Sequence, residues 1–497
     1  MMACGKRCSG LATDAENCGE CGHACSTDQS CVAGSCRSVW SDGCLDGPAH
    51  DAQLVELNAY QALEIPLYKQ TGAIAVEERT ADVVQGRTVV FRAFVAVGAG
   101  WKARDIAARM TLQNGTTVDH YAVKQRVERT STEPDLASTF ALRVPGDKIG
   151  PDTQYAVELV DCAAASGTTT NTRMPGNGSV ALSARKTGAL KVTIIPVMAN
   201  DRLPDTSSAA LAKYRDYLEA MYPVAGVELQ VGTQISTDSP LNWNTLVEQI
   251  RVQRTSDKAA PDVYYYGMVK PTNTLKEFCS MGCTAGVGYV TPITAPHTRA
   301  AVGLAYADET SASTMAHEIG HNHGRKHSLC PDGIAGVDEN LKDAALGAWG
   351  FDIRSNALQD PTKVHDIMGY CEPKWVSSYN YRALVERIAQ LNEPGGIMVS
   401  DTTPLAAYRV LLVDDDGPRW SVPFADPVAA YGEPELADVF DIDDQLITQI
   451  LVYRTQLPET SASSILVQPP EPGWNALKVE GALPVAFSAP ITVPGAK

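Results

Sequence analysis

Long hydrophobic runs are absent from this sequence. No stretch of eighteen apolar residues occurs, so no segment is predicted to span a membrane. Positive charge is also scarce relative to negative charge, since the formal net charge is −17 at pH 7 and the pI is about 5.0. This balance argues against nucleic acid or an anionic membrane as the main partner, and a self-repelling acidic surface is enough to explain it.

Two further absences concern function and targeting. Neither a serine–histidine–aspartate elbow nor a phosphate-binding loop occurs, so neither competes for a catalytic role. The first ten residues, MMACGKRCSG, contain no apolar core of a signal peptide.

The size and composition indicate a multidomain globular protein. With 497 residues the chain is too long for one compact core, and about two to four domains are expected. Hydrophobic residues make up 44% and charged residues 20% of the chain, which is ordinary for folded domains.

The thirteen cysteines are concentrated at the start of the chain. Most of them lie in the first 44 residues, at Cys4, Cys8, Cys18, Cys21, Cys25, Cys31, Cys36 and Cys44. Such density predicts either a disulfide-stapled module or a zinc cluster. A second Cys-x-x-Cys pair is missing, so disulfides are favoured, and disulfides imply export from the cytosol.

Residues 45–185 carry β-strand signals. Apolar stretches separated by Gly, Pro, Asp and Asn turns predict strands over 88–97, 106–113, 138–146 and 153–162. Their spacing favours a β-sandwich domain. Cys162, at the end of the last strand, is a candidate partner for Cys44.

From residue 186 the pattern alternates between strands and helices. Strands are predicted over 191–198, 262–269, 286–292 and 301–308, and helices over 207–223, 241–255 and 376–392. This alternation indicates an α/β layer over 186–395. After Pro394-Gly395-Gly396 the pattern becomes β-like again, which predicts a β-rich domain over 396–497, either a second sandwich or an incomplete one.

The stretch TMAHEIGHNHGRKH, residues 314–327, holds four of the nine histidines. His317 and His321 are four residues apart, so on a helix both can reach one zinc ion. Gly324 ends the helix and lets His327 return as a third ligand. Three protein ligands leave one position for water, which is typical of a catalytic rather than a structural zinc.

Two other residues of the stretch have predicted roles. Glu318 lies beside the metal, where it can take a proton from the activated water. His323 falls outside the ligand pattern and is expected either at the surface or just behind the ligands.

The spacing HExxHxxGxxH resembles the zinc signature of the metzincin endopeptidases. DIMGYC, residues 366–371, looks like the methionine turn of that clan and makes Met368 the turn methionine. By the same resemblance Tyr370 either stabilises the oxyanion or acts as a loose extra ligand; alternatively, its hydroxyl only caps the turn. The form HExGHN is similar to the adamalysin branch, and CEPKWVSSYNY resembles large secreted bacterial metzincins that include mucin-cleaving enzymes.

The resemblance covers about residues 190–395 and implies a metzincin-type catalytic domain. It implies that an edge strand ahead of the active-site helix binds the peptide substrate. The residues in that place are Gly286, Val287, Gly288, Tyr289 and Val290. The alternative is that they form an ordinary interior strand. The expected fold is therefore multidomain α+β. In it, a cysteine-rich module (1–44) and a β-sandwich (45–185) precede the α/β catalytic domain (186–395) and a β-rich domain (396–497).

Remaining cysteines and acidic turns suggest supporting sites. Cys330 and Cys371 are expected to form a disulfide across the zinc site rather than stay as free thiols, and Cys279 and Cys283 a local disulfide. The acidic turns at 414–417 and 441–444 could bind calcium, although neither has EF-hand spacing.

These features predict a secreted, monomeric zinc endopeptidase that acts on proteins or glycoproteins. The competing hypothesis is a surface protein that binds glycans or cell wall through its β-rich flanks, with proteolysis secondary. The presence of Glu318 favours the enzyme.

Overall fold

The computed structural model describes residues 2–4, 7–12, 14, 16–25, 29–32, 34–38, 40, 42–237, 241–280, 283–330, 336–341, 343–392, 404–424 and 427–491. The chain divides into two compact units, Met1–Arg185 and Lys186–Lys497. Among the described residues, no helix combines the length and apolar character that crossing a bilayer requires.

The first unit begins with a small disulfide-linked module. Its short strands form two hairpins and are β1 (Met2–Cys4), β2 (Arg7–Ser9), β3 (Gln29–Val32) and β4 (Ser35–Ser38). Disulfides join Cys18 to Cys31 and Cys25 to Cys36, so the disulfide prediction is confirmed for these cysteines. The side chains of Cys4 and Cys8 lie outside the described residues.

The rest of the first unit consists of two antiparallel sheets. Their strands are β5 (Ala52–Tyr60), β6 (Glu64–Lys69), β7 (Gly72–Ala73), β8 (Val89–Val97), β9 (Arg104–Asn114), β10 (Thr117–Val127), β11 (Phe140–Val144), β12 (Gln154–Asp161), β13 (Arg173–Met174) and β14 (Val180–Ala181). One sheet has the order β11-β8-β5-β6-β7; the other has the order β10-β9-β12-β13, with β14 also paired to β12.

The two sheets pack through apolar side chains, as in a sandwich. Phe91 of β8 and Tyr155 of β12 have ring centroids 6.4 Å apart. The disulfide between Cys44 and Cys162 closes one end of the unit, as predicted. Strand β10 was missed in the sequence, although the Asn114-Gly115 turn before it is a hairpin signal.

The second unit is built on a mostly parallel sheet. Its strands are β15 (Ala189–Met198), β16 (Gly226–Val231), β17 (Ile235–Ser236), β18 (Val263–Val269), β19 (Gly286–Gly288) and β20 (Ala300–Leu304). The order is β16-β15-β18-β20-β19, with β17 also paired to β15. Only β19 runs antiparallel to its neighbour in this described sheet, and it is the terminal strand.

Five helices belong to this unit in the described part of the chain: α1 (Ser208–Met221), α2 (Trp243–Ser256), α3 (Leu275–Phe278), α4 (Glu309–Asn322) and α5 (Ser378–Asn392). Helices α1, α2 and α5 lie within two residues of their predicted bounds. Two short ribbons connect α4 to α5, namely β21 (Gly350–Asp352) with β22 (Ala357–Gln359), and β23 (His365–Asp366) with β24 (Lys374–Trp375).

The C-terminal part of the second unit is an antiparallel sheet of seven strands, in the order β27-β26-β31-β30-β29-β32-β33, with a separate β25–β28 pair. The strands are β25 (Leu405–Ala406), β26 (Arg409–Val413), β27 (Arg419–Ser421), β28 (Val428–Ala429), β29 (Glu433–Phe440), β30 (Leu446–Gln456), β31 (Ser463–Val467), β32 (Ala476–Lys478) and β33 (Val485–Ala486). The predicted boundary at Pro394–Gly396 lies outside the described residues, and the four-domain division stays a prediction.

A buried polar cluster joins this sheet to α2. Glu248 pairs with Arg251 at 2.6 Å, and Arg251 also donates to the carbonyl of Val422 at 2.7 Å. The hydroxyl of Tyr289 donates to Glu248 at 2.8 Å. Because each charge has a partner, the cluster can lie in the interior without an unpaired ion.

Candidate metal centre and active site

Helix α4 begins directly after Asp308 and ends before Gly324, a capping residue and a glycine that are typical of helix ends. The Asp308 carboxylate caps the first turn by accepting from the backbone N–H of Ser311 at 2.8 Å. The helix ends before Gly324, whose φ of +80° is the left-handed conformation that glycine adopts without strain. This turn reverses the chain, so the predicted bend is present.

The reversal brings three imidazoles to one point. The Nε2 atom of His321 lies 3.1 Å from that of His317 and 3.2 Å from that of His327. His321 and His327 are fully buried and His317 is 5% exposed. The three predicted ligands therefore form one cluster.

The hydrogen bonds of these rings show that the cluster suits a cation. Nδ1 of His317 donates to the carbonyl of Ile367 at 2.8 Å, and Nδ1 of His321 donates to the carbonyl of Arg325 at 2.6 Å. A neutral imidazole that donates through Nδ1 keeps a lone pair on Nε2, so in their neutral forms His317 and His321 direct lone pairs at the same point. Three histidine nitrogens directed at one point are a ligand set that zinc prefers.

A carboxylate oxygen of Glu459, in the loop between β30 and β31, also faces the three imidazoles. Its Oε1 atom lies 2.7 Å from Nε2 of His321, 3.1 Å from Nε2 of His327 and 3.5 Å from Nε2 of His317. One ligand atom from each of these four residues lies within 4.8 Å of the others. No sequence pattern identified Glu459, which follows His327 by 132 residues.

The electrostatics of the cluster reflect this contact. Burial opposes ionisation of Glu459, but the contacts with His321, His317 and His327 outweigh it and hold the pKa of this carboxyl group well below its usual value. Burial, opposed by the Glu459 contact, lowers the pKa of His317 to about 4. The lowered pKa of Glu459 favours a carboxylate, and the lowered pKa of His317 favours a neutral imidazole. These are the forms in which both groups bind a metal ion.

Glu318 lies beside the cluster with its carboxyl group buried. Its Oε2 atom has no hydrogen-bond partner in the described part of the chain. Burial, followed by the nearby Glu459 carboxylate, raises the pKa of Glu318 well above the ordinary value for glutamate. A carboxyl group with a raised pKa is suited to accepting and returning a proton.

Strand β19 passes Glu318 closely because two of its residues are glycines. A Cβ atom at Gly286 would lie 2.7 Å from Oε1 of Glu318, and one at Gly288 would lie 2.8 Å from the Glu318 carbonyl oxygen. The amide of Asn322, at the end of α4, donates to the carbonyls of Tyr289 and Ala300 at 3.0 Å each. These contacts hold the edge strand against the helix; its part in substrate binding stays a prediction.

Met368 packs against the helix that carries His317 and His321. A Cβ atom at Gly320 would lie 2.5 Å from its sulfur, so the glycine between His317 and His321 makes room for the turn. No sequence pattern indicated this role for Gly320. The thioether packs beneath the ligand-bearing turn and is 1% exposed.

Tyr370 lies over the histidines. Its ring centroid is 5.6 Å from that of His317 and 5.4 Å from that of His327, and the residue is 50% exposed. Partial burial and then the carboxyl groups of Glu459 and Glu318 raise the pKa of its hydroxyl, so the hydroxyl remains a hydrogen-bond donor.

Asp366 organises the methionine turn. Its carboxylate accepts from the Ser328 hydroxyl at 2.6 Å, the Met368 N–H at 2.7 Å, the Asn380 amide at 2.8 Å and the Ser377 N–H at 2.9 Å. Nothing in the sequence pattern assigned a role to Asp366.

The structure corrects one part of the prediction for His323. The residue is 3% exposed and so does not lie at the surface, one of the two places expected for it. Its ring stacks on Tyr264 with centroids 4.5 Å apart, and its Nδ1 donates to the carbonyl of Ile319 at 2.8 Å. Burial lowers its pKa to about 3, so the ring is neutral.

The supporting disulfides are present, and the acidic turns have protein partners. Cys330 bonds to Cys371, and Cys279 to Cys283, so both predictions are confirmed. Asp414 accepts two hydrogen bonds from Arg419, each at 2.7 Å. The carboxylate of Asp441 accepts from the N–H of Asp443 at 2.9 Å. Calcium at these turns stays a prediction.

The cluster opens into a cleft of about 1010 Å³. Its lining includes His317, Glu318, Tyr370 and Glu459, together with Arg354 and Trp375. A cleft of this size can take an extended chain segment.

The comparison with known protein families gives one match. Residues 212–328 match the model of the reprolysin-like metallopeptidases of family M12B. No curated protein matches the chain. The matched segment contains α4 and all three convergent histidines. Together, the match and the histidine cluster identify this protein as a zinc metalloendopeptidase.

Proposed function

We propose that this enzyme is secreted and hydrolyses internal peptide bonds of proteins or glycoproteins. The observation that carries the proposal is the convergence of His317, His321 and His327 beside the buried Glu318 at an open cleft. A zinc ion held by the three imidazoles supplies a Lewis acid that polarises a carbonyl group and lowers the pKa of water.

Glu318 is the proposed general base. It accepts a proton from the attacking water, whose oxygen bonds to the carbonyl carbon of the substrate. Glu318 then returns a proton to the leaving amine as the C–N bond breaks. Its burial and its unpartnered Oε2 atom support this role, because a carboxylate shielded from bulk water interacts strongly with a nearby proton donor.

Tyr370 is the proposed hydrogen-bond donor to the oxyanion. Its ring lies beside those of His317 and His327 on the cleft side. A donor placed where negative charge develops lowers the energy of the transition state more than that of the substrate.

The substrate is proposed to bind along the edge strand at Gly286, Val287, Gly288, Tyr289 and Val290. Residues Gly286–Gly288 form the terminal strand of the described sheet, and an extended peptide can pair with such an edge through main-chain hydrogen bonds. Gly286 also lines the cleft.

The substrate class and export rest on further observations. The segment that resembles mucin-cleaving metzincins contributes Glu372, Pro373, Lys374 and Trp375 to the cleft lining, which supports a protein or glycoprotein substrate. The disulfides of both units support an oxidising environment outside the cytosol.

The test is a mixed casein and mucin digest in which the Glu318→Ala variant is compared with the protein that retains Glu318, both in a Glu459→Ala background that removes the carboxylate facing the histidines. We expect the variant to retain zinc and lose about 10²–10⁴-fold in cleavage rate, the usual contribution of general base catalysis. Glu339→Ala is the matched control, since Glu339 is an exposed glutamate of the same unit. A chelator should stop cleavage, and peptide mapping of the products identifies the bond. Equal cleavage by the Glu318→Ala protein would contradict the proposed mechanism.

A further inference from the structure

The loop that carries Glu459 is a short turn between two long strands of the C-terminal sheet. Strand β30 ends at Gln456 and β31 begins at Ser463, and the N–H of Leu457 donates to the carbonyl of Ala462 at 2.9 Å. The N–H of Ala462 donates to the hydroxyl of Thr460 at 3.1 Å. These bonds stabilise the turn formed by residues 457–462, here called the 457–462 loop.

Apolar burial holds this loop in the body of the second unit. Leu457 is 1% and Ala462 3% exposed, and both belong to the cluster that contains Val287 and Tyr289 beside the metal centre. Burying two apolar side chains at the ends of a loop favours its seated position over a detached one. The Glu459 side chain is 4% exposed, so it is enclosed rather than lying on the cleft rim.

The contacts of Glu459 are those of a metal ligand. Its Oε1 faces three Nε2 atoms at 2.7, 3.1 and 3.5 Å, and the Nδ1 atoms of His317 and His321 are occupied by backbone carbonyls, so the neutral forms of these two rings present lone pairs to the carboxylate. Acceptors that converge without a hydrogen between them repel one another, and a cation removes the repulsion. Its Oε2 has no hydrogen-bond partner among the described residues.

A catalytic zinc keeps one position for water, whereas a site with four protein ligands is closed. We propose that Glu459 is a fourth ligand of the zinc ion and keeps the enzyme latent until the 457–462 loop leaves the site. This inference rests on the proposed endopeptidase function. The C-terminal sheet then acts as a built-in inhibitor whose blocking group is a carboxylate.

The test uses the full-length protein with cobalt(II) in place of zinc and azide as a small competing ligand. Azide changes the visible spectrum of cobalt only if it reaches the metal. In the Glu459→Ala variant we expect the change at an azide concentration about a hundredfold lower than in the unaltered protein, because a tethered ligand competes with an advantage of about 10²–10⁴ over a free one. Glu471→Ala, at an exposed glutamate in the loop between β31 and β32, is the matched control and should behave like the unaltered protein.

Each outcome decides the proposal. Equal azide sensitivity in all three proteins overturns it. If the Glu459→Ala protein does not fold, the experiment uses the Glu459→Gln variant, which keeps the shape of the side chain. Loss of cobalt from both variants also overturns latency, since the metal would then require Glu459 in order to bind. A Glu459→Ala protein that binds azide but cleaves neither casein nor mucin supports latency and contradicts the endopeptidase proposal instead.

Discussion

The hydroxyl of Ser328 donates to the carboxylate of Asp366 at 2.6 Å, and both residues are fully buried. Ser328 follows the third histidine directly, and Asp366 lies two residues before Met368. This bond therefore joins the chain segment that carries the last zinc ligand to the turn beneath the metal. The same carboxylate accepts from two backbone N–H groups and the Asn380 amide of α5.

Replacing Asp366 should disturb the site more than replacing Ser328. Asp366→Ala leaves the buried N–H groups of Met368 and Ser377 without an acceptor, and each such group costs about 1–3 kcal/mol. Ser328→Ala removes one bond of four and should cost about 1 kcal/mol. Urea unfolding and zinc content measure both effects. A Ser328→Ala protein as unstable as the Asp366→Ala protein would show that the turn does not depend on the carboxylate.

Gly320 and Met368 should be coupled in stability. Gly320→Ala adds a methyl group 2.5 Å from the Met368 sulfur, and overpacking of this kind costs about 1–3 kcal/mol. In a Met368→Ala background the methyl group has room, and alanine should then stabilise the helix by about 0.5–1 kcal/mol relative to glycine. A double-mutant cycle by thermal unfolding measures the coupling, and additive effects would contradict the proposed contact.

The two disulfides near the site should differ in their effect on stability. Cys330 and Cys371 are 41 residues apart and Cys279 and Cys283 only 4. In the loop-entropy model, replacing the first pair by serines should cost about 4 kcal/mol and the second pair about 2 kcal/mol. The readouts are the unfolding midpoint and the rate of zinc transfer to a chelator. Faster zinc loss after removal of the 279–283 bond than after removal of the 330–371 bond would contradict this ranking.

Glu64 should make the first unit more stable in mild acid. Burial, aided by Glu133 and Glu56, raises the pKa of its carboxyl group to about 7. A folded-state pKa above the unfolded value favours the protonated folded form, so this contribution is full below about pH 4.5 and is lost as the pH rises through about 7. The total is about 3 kcal/mol, at 1.36 kcal/mol for each pKa unit.

Glu64→Gln is the matched test, because the amide oxygen of the substituted side chain can still accept from the Asn58 amide, which lies 2.8 Å from Glu64 Oε1. Unfolding of this variant should lose the pH-dependent decrease between about pH 5 and pH 8, and the variant should be the more stable protein at about pH 8. The same slope in both proteins would assign the pH dependence to another group.

The metal centre was largely predictable because its signal is local. His317 and His321 lie one helical turn apart, and the glycine that returns the chain to His327 is only three residues beyond His321. The main elements of the second unit were predictable for a similar reason, since strand and helix periods repeat within one segment. The turn at Met368 was identified only through family resemblance. It lies far from the histidines in the sequence, and no helix or strand period relates it to them.

What the sequence missed depends on distant contacts. The burial of His323 follows from Tyr264 stacking on it, and the importance of Asp366 follows from donors on three separate segments. The role of Gly320 is visible only when Met368 lies against it. A residue's own neighbours in sequence carry no information about such partners.

By itself, the sequence predicted the three histidines that cluster, the glutamate beside them and the bend between them, because helical geometry fixes the directions of side chains a few residues apart. Only the tertiary structure decided that the fourth position faces Glu459. That residue reaches the histidines because the C-terminal sheet packs on the catalytic layer through buried contacts such as the 2.7 Å hydrogen bond from Arg251 to the carbonyl of Val422. The position of a loop 132 residues beyond His327 depends on that packing rather than on any local preference of the chain.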